Sequence, residues 1–248
     1  MMMNKRACVV LAALAALGLA SAARAQDPSI LEHRWSVDVG LGWDNGISGN
    51  INSGAIGTFE NRTTVILPNS YEDVYGTGFH FRFGGGYLID EITEVRAVFT
   101  YESLDADLTT MGDIGTSRLY GQYDPYRTLA LDVGFRRYFD VGTGLRAYTE
   151  ATAGIGFIKE IDVVLSAPSI NITRRATDFY DSTAAASFGG NFGLLFQVWD
   201  RVGIYGQLGL RWMSGLSQID DLTNGLETIN DGSSRWTVPI VIGARARF

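Results

Sequence analysis

The chain has almost no cysteine, and the one it carries, Cys8, lies in a leader-like segment. The remainder can therefore form no disulfide framework and hold no metal through thiolates. Histidine is nearly as scarce, with two residues in 248, which leaves few combinations for nucleophilic catalysis or imidazole ligation. Basic residues are in deficit, 20 against 27 acidic. Without a basic stripe, nucleic acid is excluded as a partner. Long apolar runs are missing too. Beyond the leader, no stretch approaches the ~20 residues that a membrane-spanning helix needs.

The leader is present in full. Lys5 and Arg6 form a charged start, Val9 to Ala20 an apolar stretch, and Ala23-Arg24-Ala25 a small-x-small cleavage site. This is the pattern of a secretory signal occupying residues 1–25, with the mature chain starting at Gln26. Its removal leaves 17 basic against 27 acidic residues, a formal charge of −10. Glycine is abundant, 30 of 248, and aromatics reach 12%. The mean hydropathy of +0.06 resembles that of a soluble protein, but a barrel that alternates apolar and polar residues conceals its lipid face from such an average.

Alternation is what the chain has most of. In Trp236–Phe248, Trp236, Val238, Ile240, Ile242, Ala244, Ala246 and Phe248 share one face of an extended strand. Thr237, Pro239, Val241, Gly243, Arg245 and Arg247 share the other, because successive strand side chains point to opposite faces. The same pattern recurs at about 35–43, 75–87, 94–102, 128–138, 145–157, 187–198 and 202–212. Connections after the second, fourth and sixth segments are short, whereas the others run to about 22–31 residues, longer than compact domains usually carry. Short turns at one end and long loops at the other are the mark of an outer-membrane barrel. The expectation is an all-β, eight-stranded antiparallel up-and-down transmembrane barrel, with residues 26–248 as one domain. The even strand number places both termini in the periplasm.

Two short β-like runs, Thr63 to Leu67 and Ile161 to Ser166, fall within long connections. They are too short to cross a bilayer and read as hairpin extensions above it. Aromatics fall at strand ends, as interfacial girdles do. Trp35, Tyr87, Tyr138, Trp199 and Phe248 sit at the short-turn end, and Trp43, Tyr75, Tyr101, Phe157, Trp212 and Trp236 at the other.

Together, the signal peptide, eight amphipathic strands and terminal aromatic resemble small outer-membrane barrels of the OmpA-like, OmpX and OmpW group. Leu145 to Phe157 (LRAYTEATAGIGF) is similar to the glycine-alternating fifth strand of those proteins, and Val202 to Trp212 (VGIYGQLGLRW) to their penultimate strand. The resemblance implies a Gram-negative-type outer membrane, with its lipid and lipopolysaccharide as surroundings. It also implies that the barrel-assembly machinery reads a C-terminal signal, here Trp236, Val238, Ile240, Ile242 and Phe248. The peptidoglycan-binding domain that follows the barrel in OmpA has no counterpart after this eighth strand, so that function is not implied.

The inward face collects Asp38, His80, Arg82, Glu94, Arg96, Glu102, Asp132, Arg136, Arg146, Glu150, Arg211, Arg245 and Arg247. An eight-stranded barrel is only wide enough for side chains to fill, so these mixed charges read as a cross-linked plug, with Asp38 near Arg245 and Arg136 near Glu150. A narrow gated channel for small solutes is the alternative. Lipid A-modifying barrels need a histidine, a serine and a carboxylate together. Here His33 precedes the first strand, and His80 points into the lumen with no serine beside it. The expected protein is therefore a non-enzymatic envelope component without cofactor or metal. Acids in the second and fourth long loops (Asp105, Asp107, Asp113; Asp220, Asp221, Glu227, Asp231) lack calcium-loop spacing. They read as solvated surface, bridged by divalent cations to lipopolysaccharide phosphates. The two sequons, at Asn61 and Asn171, have no meaning in a bacterial protein, and no motif names a loop ligand.

Overall fold

The computed structural model describes residues 33–217, 225–230 and 232–248, and residues 1–25, expected to be a signal, lie outside them. The first long strand is β1 (Trp35–Ser48). The chain then makes β2 (Asn50–Asn52), β3 (Ala55–Phe59), β4 (Arg62–Ile66) and β5 (Asn69–Ser70), turns through the short helix α1 (Tyr71–Tyr75) and returns as β6 (Thr77–Leu88). After a tight turn come β7 (Thr93–Leu104), β8 (Thr109–Ile114), β9 (Ser117–Tyr123) and β10 (Tyr126–Gly142). Then follow β11 (Leu145–Ile158), β12 (Ile161–Ala167), β13 (Ile172–Tyr180), β14 (Thr183–Trp199), β15 (Val202–Met213) and β16 (Arg235–Arg247).

Eight of these strands close into an antiparallel barrel in the order β1-β16-β15-β14-β11-β10-β7-β6. Closure leaves no free edge. It is completed by backbone bonds between the ends of the described chain: Phe248 N–H donates to the Trp35 carbonyl at 3.0 Å, and Trp35 N–H to the Phe248 carbonyl at 3.1 Å. The barrel strands coincide with the eight alternating segments of the sequence, but several are longer. β10 and β14 reach 17 residues each. β6 begins later than the pattern implied, because Tyr75 belongs to α1. Ser70 caps that helix: its hydroxyl accepts from the Asp73 N–H at 3.1 Å, and the Asp73 carboxylate accepts from the Ser70 N–H at 3.0 Å. This reciprocal box stops the strand pattern from running back through Tyr75.

The outer wall is apolar. Leu131, Val133 and Phe135, successive outward positions of β10, are 57%, 62% and 62% exposed. A water-soluble wall does not expose so continuous an apolar surface. Trp35, Trp199 and Phe248 ring the short-turn end, and Trp43, Phe157 and Trp236 stand outward toward the other. Tyr87 packs tilted against Trp35, and half-buried Trp212 against Phe188; Tyr101 is half-buried on the outer wall. Two girdle assignments fail. Tyr138 is buried, since it shares parity with inward-facing Arg136 on β10. Tyr75 is buried beyond the barrel, where α1 folds over it.

The long connections are not independent loops. Six of their strands form a second sheet in the order β13-β12-β9-β8-β4-β3. The runs at 63–67 and 161–166 belong to it, as β4 and β12. They lie beyond the barrel, as hairpin extensions would, but they also pair across connections: β4 with β8, and β12 with β9. Beneath this sheet is a separate apolar core that includes Ile51, Tyr71, Val74, Met111, Leu119, Tyr123, Val163, Phe179 and Ile229. No single connection has enough apolar surface to fold alone, so the four pool theirs into one cap. At the far tip, Arg174 on β13 and Glu60 in the β3–β4 turn meet at 2.5 Å, linking the sheet's two edge strands.

Candidate functional site

The lumen holds the densest chemistry of the molecule. Side chains of inward parity on all eight barrel strands must share a space only about one side chain deep. Glycines opposite the longest of them provide the room. A Cβ on Gly84 would lie 2.4 Å from Arg96 Nη2, and one on Gly243 would lie 2.5 Å from Tyr205 Cζ.

The middle of the lumen is organised by Glu150. Its carboxylate pairs with Arg82, with Arg96 at 2.8 Å and with Arg136 at 2.7 Å, and it accepts from Asn191 at 3.1 Å. Arg96 also pairs with Asp38, which accepts from the Tyr205 hydroxyl at 3.3 Å. The Arg136 guanidinium lies 4.0 Å from the Tyr148 ring centre, a cation–π contact that holds it over the ring face. Buried charges persist only when paired and hydrogen-bonded, and this layer satisfies its carboxylates several times over. Nearer the short turns, Glu94 takes Arg245 and accepts from Ser36 at 2.5 Å and Tyr138 at 2.7 Å. Arg146 pairs with Asp140 at 2.8 Å, and Arg247 lies over Tyr138.

Above the middle layer lies a small, partly open void of about 40 Å³, whose wall takes residues from every barrel strand: Asp44 on β1, His80 and Arg82 on β6, Val98 and Thr100 on β7, Asp132 on β10, Thr152 on β11, Asn191 on β14, Arg211 on β15, and Pro239 and Val241 on β16. Arg211 approaches Asp132 at 3.8 Å. Further up, Arg235 pairs with Glu102 at 2.6 Å and lies 4.7 Å from the Tyr126 ring, under the cap.

All thirteen charged positions singled out in the sequence therefore sit on the lumen side, eleven buried and two, Arg211 and Arg247, half-buried. Arg136 and Glu150 meet directly. Asp38 and Arg245 are register neighbours, yet their charges go elsewhere, to Arg96 and Glu94. The reason is reach: a guanidinium spans the lumen, so cross-barrel partners compete with neighbours on the adjoining strand. His80 lines the void with no serine in its wall. Asp44, Arg235, Tyr148 and Tyr205 complete the network without having been singled out as sites, and Tyr138 joins it from a position assigned to a girdle. Among the described residues, no group of three or more histidine, cysteine or acidic side chains is placed to hold a metal. Of the loop acids, Asp220, Asp221 and Asp231 lie outside the described residues, Asp113 pairs with Arg118 at 3.3 Å on the cap surface, and Glu227 accepts from the Gly225 N–H.

Comparison with known proteins gives distant matches alone. No family model and no curated protein matches the sequence. Among solved structures, Neisserial surface protein A is 11% identical at a TM-score of 0.44, covering 86% of this chain and 97% of that one. OprG of Pseudomonas aeruginosa is 9% identical at 0.44, covering 87% and 96%. Ail of Yersinia pestis is 12% identical at 0.37, covering 87% and 99%. The chain resembles small outer-membrane barrels. At such identities its function has to be read from its own residues.

Proposed function

We propose that this is a non-enzymatic barrel of a Gram-negative-type outer membrane, both termini periplasmic, that stabilises the envelope and presents its folded cap as a recognition surface. An apolar wall closed on itself is the form in which a β-protein satisfies its backbone in lipid. Lipid and lipopolysaccharide are then its surroundings. The barrel-assembly machinery is its partner in biogenesis, reading the outward residues Trp236, Val238, Ile240, Ile242 and Phe248.

The observation that carries the recognition role is the cap. Three long connections contribute strands to one sheet, and the fourth adds Leu226 and Ile229 to the core beneath it. Loops with no role beyond joining strands need no shared core. The test replaces the four connections by short turns and screens cells bearing either form against immobilised glycans and proteins. Selective capture by the capped form alone is the expected result. Equal capture by the cap-less barrel would overturn the reading.

The void favours a second reading, a narrow channel for small solutes, because it lies on the path through the lumen and takes wall residues from every barrel strand. Against it stand the Glu150 layer below and the Arg235–Glu102 pair above. Conductance separates the two.

A further inference from the structure

The short-turn mouth of the lumen holds more guanidinium than carboxylate. Arg146, Arg245 and Arg247 gather around the ring of Tyr138, with guanidinium carbons 5.0, 5.5 and 5.5 Å from its centre. Glu94 takes Arg245 but is also engaged by the hydroxyls of Ser36 and Tyr138. Asp140 takes Arg146 from a largely solvent-exposed position, its side chain 60% exposed. Arg247 forms no ion pair among the described residues.

Unpartnered guanidinium donors occur along the lumen, and at this mouth three arginines around one ring carry them. Arg245 is 2% exposed, yet its Nε and Nη1 have no acceptor among the described residues; the same holds for Nη1 of Arg146, which is 8% exposed, and for Nε and Nη2 of Arg247. Nearly buried guanidinium N–H groups without acceptors, carrying an unbalanced positive charge, are an arrangement that a bound anion completes. The Tyr138 ring holds the guanidinium faces by cation–π attraction, while its hydroxyl is turned to Glu94. The Nε–Nη2 edge of Arg247 stays free and matches the two oxygens of a phosphate or carboxylate, while Arg146 and Arg245 keep single N–H donors to add to it. Half-buried Arg247 supplies the way in, its backbone N–H bonded to the Arg201 carbonyl in the β14–β15 turn.

We propose that Arg146, Arg245 and Arg247 form a binding site for a small oxyanion, of the phosphate or carboxylate class, at the short-turn mouth of the barrel. Dissolved anions and the phosphate of an anionic lipid headgroup offer the same chemistry. Whole protein in maltoside micelles is titrated with inorganic phosphate and with succinate, and in parallel is reconstituted in phosphatidylcholine vesicles with and without phosphatidylglycerol. Binding is read by calorimetry for the dissolved anions, and by an increase in unfolding midpoint for the lipid, since a ligand of the native state alone raises it.

Saturable binding of phosphate or succinate identifies a dissolved anion, and a stabilisation confined to phosphatidylglycerol identifies a headgroup. In either case Arg247→Gln weakens the effect roughly tenfold, as loss of one charged hydrogen-bonding partner does, and Arg247→Lys retains part of it. Arg146→Gln weakens it independently, whereas Arg175→Gln on the distant cap leaves it unchanged. Arg247 forms no ion pair in the plug, so its loss does not unfold the barrel. Absence of a saturable response to all three probes would overturn the proposal, as would a response indifferent to both Arg247→Gln and Arg146→Gln.

Discussion

Arg136 and Glu150 stand directly opposite each other in the β10–β11 register, and their side chains meet at 2.7 Å inside the lumen. Pairing by register gives the network its anchor, and Arg82 and Arg96 then converge on the same carboxylate from β6 and β7. Glu150→Gln leaves those three buried guanidiniums short of charge. Breaking a buried ion pair from one side costs about 3–5 kcal/mol. Urea unfolding in lipid vesicles checks this, and a loss below about 1 kcal/mol, the scale of a surface pair, would show the network to be hydrated.

The outward and inward faces of one strand respond differently. Leu131→Arg places a charge on the apolar wall and costs about 2–4 kcal/mol near the bilayer midplane. Gly134→Arg, three residues on and inward, fails by crowding instead: even a Cβ there would lie 2.4 Å from the Ala151 carbonyl oxygen. Folding yield in vesicles of different thickness tells them apart. The Leu131 variant improves as the bilayer thins, and the Gly134 variant does not.

Much of this was legible in the sequence. Strict alternation with glycine opposite charge located eight strands and assigned inward parity to the charged residues. The same parity also placed Tyr138 inside, on the face of Arg136, although its position at a strand end argued for a girdle. Arg235 shares the parity of Arg245 but lies one residue before the segment recognised as a strand, and so went unnoticed. The cap was beyond reach, because its strands pair across connections far apart in sequence, as β9 does with β12. Short runs such as Ser117–Tyr123 show no partner until the barrel beneath brings them together.

The cap rests on a core of its own, so it can be loosened by itself. Leu119→Ala removes a fully buried side chain and costs about 2–5 kcal/mol of local stability. Hydrogen exchange speeds up in β8, β9 and β12 while the barrel strands keep their protection. On whole cells the intact cap resists protease and the variant is cut within residues 103–126. Equal resistance of both proteins would count against a cooperative cap.

The α1 helix has a pH dependence of known sign. The Ser70 hydroxyl and N–H hold the Asp73 carboxyl below its ordinary value of 3.8. A depressed carboxyl contributes stability that is complete above the ordinary value and is lost as pH falls through the lowered one. Acidification below pH ~4 therefore loosens the first turn of α1, seen as lower protection factors for the Ser70 and Asp73 amides. Ser70→Ala produces the same loosening at neutral pH. Protection factors at Ser70 and Asp73 that do not change on acidification would refute the capping account.

Ion pairs close the lumen below the void, and single-channel recording in planar bilayers tests this most directly. The unaltered protein conducts little or nothing, and Glu150→Ala or Arg136→Ala, by thinning the middle layer, raises the current from that baseline. Steady, large conductance in the unaltered protein would contradict the account.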